Sequence, residues 1–520
     1  MEFLLNASQM KQCDGDTIQK IGIPSMVLME RAALAVKEEL FRENLDLSSV
    51  LVVCGSGNNG GDGLAVARLL DEAGVRVSVA FVGKEASMTE ETRLQMKICR
   101  NCGIKPCSNF RDKEYTTIVD AIFGIGANRK IEGEYAKLID WINQSRAFVA
   151  AVDIPSGVSA DTGKILGTAV RADLTVTFAY RKLGQILYPG AEYCGKVIRR
   201  DIGITADGLR NAMPCAFTYQ PEDLSRIAGR RPYSNKGTYG KVLLIAGSHC
   251  MGGAAYLAAL AACRCGSGLV RIFTPECNRV ILQTLIPEAV LTTYTSSEDC
   301  LEKLKVSLEW ADTAGIGPGM GKNSQTEEIL QYVLHHFSKP LVIDADGLNV
   351  LAERKHWLKE TEAKVIITPH IGEMERLSGC PKSQIVESLV AAAGREASAW
   401  ETVCVLKDAR TVVSDGERYY INTSGNSGMA AGGSGDVLTG VLCSLLGQKM
   451  NPFDAASLGV YLHGLAGDLA ARKFGEHGMT ASHLARAVGD VLKGCTSHGE
   501  TAAEKDFRVW ENGRQGKENE

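Results

Sequence analysis

Short apolar runs separated by amphipathic stretches organise most of the chain. Residues 49–53 (SVLVV), 75–82, 117–123, 147–154 and 172–178 are apolar at nearly every position, not at every second one, as in strands buried on both faces. Helical spacing lies between them, as in LAVARLLDEA (64–73), and ahead of them over 23–35. Such alternation predicts a parallel sheet covered by helices. The pattern lapses over about residues 204–235, where turn formers and charge dominate, and then restarts. Strands are expected at 241–246 (KVLLIA), 269–273, 341–344, 364–367 and 403–406, with a hairpin over 410–421 turned at Asp415-Gly416. Helices are expected in AAYLAALAACRC and over 437–446, 455–473 and 482–492. Two α/β domains follow, residues 1–215 and 225–495, with a polar tail over 496–520.

Composition narrows the class without changing the fold. The 520 residues include 55 glycines and only 6% aromatics, a balance that suits tight strand-to-helix turns better than aromatic-rich all-β modules. A net charge of -4 supplies no basic field to draw the chain to nucleic acid. No apolar run approaches the roughly 18 residues of a membrane span. The opening MEFLLNASQMKQCDGD lacks the basic and apolar regions of a secretory signal. Sixteen scattered cysteines read as reduced thiols, so a cytoplasmic protein is expected.

The first candidate site starts where strand 49–53 runs into GSGNNGGDG (55–63), which opens a helix. A strand, a glycine-dense turn and a helix N-terminus present unpaired N–H groups and a positive dipole end, which suits phosphate. The glycine spacing is not the usual dinucleotide fingerprint, because Asn58, Asn59 and Asp62 sit inside the loop. Two further strands end in polar clusters, VDAIFGIGANRK (119–130) and VDIPSG (152–157), at the carboxyl ends where open parallel sheets bind ligands. One aspartate there is an ordinary cap or turn residue; two beside a glycine loop point to a site. Asn59, Asp120 and Ser156 offer hard oxygen ligands for a monovalent or divalent cation, leaving Asp153 free to bind substrate or move protons.

Taken in order, GSGNNGGDG, VDAIFGIG and VDIPSGVSADTG resemble the N-terminal epimerase domain of the bifunctional NAD(P)H-hydrate repair enzymes, over about residues 1–215. The resemblance implies a Rossmann-like fold and a potassium ion on Asn59, Asp120 and Ser156. It implies hydrate-binding positions at Asn58, Asn59, Gly60, Gly61 and Asp62, and at Gly124, Ile125, Gly126, Ala127, Asn128, Arg129 and Lys130. Asp153 is both a binding and a catalytic candidate. Where the family often reads G-T-G, this chain has Gly124-Ile125-Gly126, which removes a hydroxyl but keeps the turn.

The second candidate site centres on NSGMAAGGSGDVLTG (426–440), whose glycines precede a helix expected to begin near Asp436. Flexible glycines at a helix N-terminus cradle a transferring phosphoryl group, and Asp436 in the first turn is placed to deprotonate the attacking hydroxyl. The segment resembles the G-A-G-D anion hole of ribokinase-like kinases. AGIGPGMG (314–321) reads as a second glycine-rich turn and VIDADGLN (342–349) ends a strand in two carboxylates. ITPHIGEMERL (367–377) sets His370 at a strand-to-helix turn, with Glu373 expected to cap that helix rather than approach a magnesium ion.

Together these motifs resemble the ADP-dependent dehydratase domain of the same repair enzymes, over about residues 225–495. The resemblance implies Asp436 as catalytic base and hydrate contact, with Ala254, Gly317 and His370 as further hydrate contacts. Gly435 and Lys407, Asp408, Ala409, Arg410 and Thr411 are the implied adenylate contacts. The family's K-G-x-x-T reads Lys407-Asp408-Ala409-Arg410-Thr411 here, and an aspartate in place of glycine adds repulsion near phosphate.

The implied chemistry is repair of hydrated nicotinamide dinucleotides, NADHX and NADPHX. Phosphorylating the ring hydroxyl makes it a good leaving group, and phosphate elimination restores the reduced cofactor. A fused epimerase makes both hydrate epimers salvageable. ADP is the expected donor with ATP as the alternative, Mg2+ the accompanying ion, and a homo-oligomer the expected assembly. The competing reading is a C-terminal small-molecule kinase carrying a non-catalytic N-terminal binding domain.

Overall fold

A computed structural model describes residues 1–214 and 216–493; the polar tail expected over 496–520 lies outside the described residues. The chain divides into two compact units, Phe3–Cys215 and Met1–Glu2 with Ala216–Glu520.

The first unit carries a six-stranded sheet of β1 (Val50–Cys54), β2 (Val77–Phe81), β3 (Thr117–Ala121), β4 (Phe148–Val152), β5 (Leu174–Phe178) and β6 (Lys196–Arg200). Their order is β2-β1-β3-β4-β5-β6, every pair parallel. The strand alternation feeds two cores. Val50, Val52 and Cys54 face the helices Ser25–Arg42 and Asn58–Glu72, while Leu51 and Val53 face Gly133–Gln144. Both faces are dry, which explains why the central strands read as continuous apolar runs. Strand β6 (KVIRR) escaped that pattern because it is an edge strand, and charge on an edge discourages pairing with another chain.

The second unit holds β7 (Ala216–Thr218), β8 (Lys241–Ile245), β9 (Leu269–Pro275), β10 (Val290–Tyr294), β11 (Thr313–Ile316), β12 (Leu341–Ile343), β13 (Val365–Ile367), β14 (Val403–Leu406), β15 (Val412–Ser414) and β16 (Tyr419–Ile421). They run in the order β10-β9-β8-β11-β12-β13-β14-β15-β16-β7. Pairing is parallel from β10 to β14; β15 runs antiparallel to both β14 and β16, closing the expected hairpin with Gly416 at φ 98°. One expectation needs correction. The start of AGIGPGMG is not a turn but part of the buried central strand β11, where a Cβ on Gly315 would meet Cys443 Sγ at 2.6 Å. Glycine serves there because the helix Ser434–Gly447 packs directly on the strand.

No helix among the described residues is long and apolar enough to cross a membrane.

Candidate functional sites

In the first unit a cavity of about 890 Å³ opens beyond the carboxyl ends of β1, β3 and β4, a size that suits a small ligand. Asn58, Asn59, Asp62, the whole run Gly124 to Lys130, and Asp153 line it. Gly60 and Gly61 do not. Their N–H groups are spent on the Gly57 carbonyl, at 2.9 and 3.3 Å, inside the first turn of the helix Asn58–Glu72. A Cβ on Gly60 would overlap the Gly55 backbone, and one on Gly61 would meet Met29 Cε at 2.7 Å. These glycines bring the helix against the strand end. Gly60→Ala is expected to cost about 1–3 kcal/mol through overpacking against rigid backbone, read as a lower unfolding midpoint in urea.

Asp120 and Ser156 lie beneath the cavity wall, both fully buried. Ser156 donates its hydroxyl to Asp120 Oδ1 at 2.6 Å and its N–H to Oδ2 at 2.7 Å; the Phe123 N–H in turn donates to Ser156 Oγ at 2.8 Å. Asn59 closes on the same loop, its Oδ1 standing 3.1 Å from where a Cβ on Gly124 would be, so glycine is required there. The three residues expected to share a cation therefore surround one short segment. Burial pushes the Asp120 carboxyl up to about 6, and the Ser156 and Ile122 donors only partly offset it. A buried carboxylate answered by neutral donors suits a cation, and the oxygen-rich set suits a hard one.

Asp153 is not free, contrary to expectation. Its Oδ1 accepts from the Lys182 ammonium, from Thr177 Oγ1 at 3.1 Å and from the Phe178 N–H at 3.3 Å. Gln185 Nε2 holds its carbonyl at 2.6 Å, and its own φ is 65°. Lys182 is fully buried, and a buried ammonium requires a counter-charge. Positive φ at a non-glycine residue is strain held by its surroundings, a common property of functional positions. Lys182 also borders the cavity but stood outside every motif, since Arg181-Lys182 reads as an ordinary surface pair. Asp14, from the helix Ala7–Asp16, borders it too. Burial, then the charges of Asp153 and Asp14, push the Asp62 carboxyl well above the carboxylate range.

In the second unit the helix Ser434–Gly447 starts two residues earlier than expected, because Gly433 at φ 93° makes the entry turn. Asp436 falls in the first turn and is partly exposed, not sealed in hydrocarbon. A Cβ on Gly440 would overlap the Ala258 carbonyl, so the helix lies hard against Gly252–Arg264 and its N-terminus is fixed. Beside it Asp344 is almost fully buried, taking Lys407 Nζ at 2.9 Å, Thr368 Oγ1 at 2.7 Å and Thr439 Oγ1 at 2.9 Å. Burial opposes the charge on Asp344, yet Lys407 and the hydroxyls prevail and hold its carboxyl below the usual range. Gly435 abuts this pair, its Cβ position lying 3.4 Å from Lys407 Nζ. Burial, then Asp344, push the Asp436 carboxyl up to about 6 while Lys407 opposes.

The remaining candidates gather around this pair unequally. Gly317 has φ 123°, and a Cβ there would overlap the Asp344 carbonyl. Ala254 is buried against Gly319 of the same turn. His370 caps the helix Ile371–Ser378: its Nδ1 accepts the Gly372 N–H at 2.9 Å, and its own backbone N–H donates to Glu373 Oε2 at 2.8 Å. Lys407 reaches it through the backbone, donating its N–H to the Pro369 carbonyl at 2.8 Å. Asp408 and Ala409 are exposed in the turn between β14 and β15, where water screens the added carboxylate. Arg410 bonds the Thr423 carbonyl at 3.4 Å and Thr411 Oγ1 the Asp408 carbonyl at 3.2 Å. Asp344 and Thr439 are the participants that motif reading left without a role.

Two parallel-sheet units, each ending its strands in a polar site, define a two-site α/β enzyme. A family model described as YjeF-related protein N-terminus matches residues 25–184, and one described as NAD(P)H-hydrate dehydratase matches 242–489. The bifunctional NAD(P)H-hydrate repair enzyme of Moorella thermoacetica is 37% identical, over 96% of this chain and 98% of its own. A solved hypothetical protein of Streptococcus mutans is 28% identical with a TM-score of 0.50, covering 54% of this chain and all of its own. The solved ADP/ATP-dependent NAD(P)H-hydrate dehydratase of Bacillus subtilis is 32% identical with a TM-score of 0.49, over 54% of this chain and 98% of its own. The chain belongs to the family of bifunctional NAD(P)H-hydrate repair enzymes.

Proposed function

We propose that the chain repairs hydrated nicotinamide dinucleotides at two sites. Residues 1–215 interconvert the R and S epimers of NADHX and NADPHX. Residues 225–495 phosphorylate the S hydrate from ADP, with ATP as the alternative donor, and eliminate phosphate to return NADH or NADPH. The observation that carries the reading is the entry turn of the helix Ser434–Gly447, which sets Asp436 beside the Lys407–Asp344 pair.

Each residue there has a chemical task. With its carboxyl raised to about 6, Asp436 is largely ionised at neutral pH yet basic enough to accept the proton of the ring hydroxyl as that oxygen attacks phosphorus. The N–H groups of the first helical turn and the glycines before it stabilise charge developing on the phosphoryl oxygens. Lys407, fixed by Asp344, supplies a positive charge alongside Gly435. Ring nitrogen electrons then expel phosphate. Among the described residues no three His, Cys, Asp or Glu side chains cluster as a metal site, so Mg2+ would be held chiefly by the nucleotide phosphates.

In the first unit Asn59, Asp120 and Ser156 would hold potassium, which supplies the countercharge that the buried Asp120 lacks and fixes the loop following β3. The cavity-lining residues among Asn58 to Asp62, the run Gly124 to Lys130, and Asp153 would hold the hydrate. The free thiols of the described cysteines suit the reducing cytoplasm, and a homo-oligomer is the proposed assembly.

Incubating the purified chain with mixed hydrate epimers and ADP should convert both epimers to reduced cofactor with one phosphate released per turnover. A stable phosphoester product with no recovered NADH would instead support the small-molecule kinase reading.

A further inference from the structure

Asp14 stands apart from the other residues of the first cavity. It lies ahead of the segment 25–184 that the family model matches, in the helix Ala7–Asp16, yet it borders the same space as Asp62, Asp153 and Lys182. Among the described residues no donor hydrogen-bonds its carboxyl. Asp153, by contrast, is gripped by Lys182, Thr177 and Phe178. The Asp62 carboxyl is pushed well above the carboxylate range by burial, then by the charges of Asp153 and Asp14. Of these three, Asp14 is the carboxyl that no partner holds among the described residues and that burial raises only to about 6.

We propose that Asp14 is the proton donor and acceptor of epimerisation, acting on the C6 hydroxyl of the hydrated nicotinamide ring. The assignment rests on the epimerase reading above. Neutral Asp14 gives its proton to the C6 hydroxyl oxygen; the C6–O bond breaks, its electron pair leaving with the water formed. The lone pair of ring N1 forms the N1=C6 bond, so C6 becomes planar. Water then adds to the opposite face: a new C6–O bond forms, the N1=C6 pair returns to nitrogen, and the surplus proton returns to Asp14. Atoms and charge balance, and no oxidant or second substrate enters.

The surroundings suit a group that must work in both directions. Burial, then the Asp153 charge, raise the Asp14 carboxyl to about 6, and Lys182 limits the rise. A value near operating pH serves both donation and acceptance. The other carboxyl and basic groups on the cavity wall are Lys11 on the same helix, Asp62, Glu91, Arg129, Lys130 and Glu132. None of these forms the close buried pair that fixes Asp153 to Lys182.

The test is Asp14→Asn, assayed separately for loss of the R epimer and for ADP-dependent dehydration of the S epimer. Epimerisation is expected to fall about 100-fold in kcat with KM little changed, while S-epimer dehydration in the same sample stays at the wild-type rate. The wild-type epimerase profile should show an ionisation near pH 6 that the variant lacks. Epimerisation by the wild type in oxygen-18 water should place solvent oxygen at C6. A variant epimerising within threefold of wild type overturns the assignment and leaves the epimerase reading intact. Epimerised product free of solvent oxygen also overturns it, whatever the variant does. A wild type that does not accelerate epimer exchange overturns both.

Discussion

Replacing Asp436 by asparagine should lower ADP-dependent dehydration of the S hydrate by about 10²–10⁴-fold and leave epimerisation untouched. Asparagine keeps the shape and the helix contacts but accepts no proton, so the loss falls on kcat. In the wild type, dehydration should decline below about pH 6, as the carboxylate that burial and Asp344 hold there becomes protonated. The same shift has a stability consequence with a definite sign. A carboxyl raised from 3.8 to about 6 in the folded chain disfavours the ionised form. Its cost is absent below about pH 4, grows between about 4 and 6, and is constant above. Asp436→Asn should therefore be more stable than wild type at pH 8 by about 1–3 kcal/mol, and equal to it near pH 3.5. Thermal melts at the two pH values check the sign, and recovery of reduced-nicotinamide absorbance checks the rate. A variant that dehydrates at the wild-type rate would remove Asp436 from the mechanism.

Lys182→Met should destabilise the first unit by about 3–5 kcal/mol, the largest stability effect expected outside the hydrophobic cores. Lys182 is fully buried and Asp153 is only 13% exposed at its side chain. Removing the ammonium leaves a carboxylate at positive φ with only Thr177 and a backbone N–H to answer it. Methionine fills the stem volume, so the loss reports the charge and not a cavity. Urea unfolding of the single variant, beside Lys182→Met combined with Asp153→Asn, separates the two contributions. The double variant should recover much of the loss, because an unpaired buried charge costs more than a missing pair. Equal midpoints for wild type and Lys182→Met would mean that the pair carries no net stability.

Where the sequence was informative, the reason was physical. Central strands such as Val50–Cys54 and Thr117–Ala121 are dry on both faces and so announce themselves as unbroken apolar runs. The glycine turns before Asn58–Glu72 and Ser434–Gly447 were legible because close backbone approach at Gly60 and Gly440 admits no other residue. Strand Thr313–Ile316 was hidden by the opposite use of the same residue, a glycine inside a strand looking like a turn. Lys182 and Asp14 were hidden more deeply. Lysine and aspartate are ordinarily solvated, and only tertiary packing of Lys182 against Asp153, and of the helix Ala7–Asp16 beside the cavity, takes them out of water. Asp344 was visible as a carboxylate at a strand end, but its partners Lys407 and Thr439 lie 63 and 95 positions away.

The imidazole at the start of Ile371–Ser378 has a fixed tautomer as a result of its bond to the Gly372 N–H. Since Nδ1 accepts, the hydrogen of the neutral ring resides on Nε2, and that edge can only give a hydrogen bond, never take one. Any group it meets must be an acceptor, such as an amide oxygen or a phosphoryl oxygen. Asparagine at position 370 would imitate the accepting nitrogen and preserve the helix start while deleting the Nε2 donor, which stands 3.5 Å from Glu373 Oε1. The capping bond and the Nε2 donor of one side chain can thus be pulled apart by a single codon.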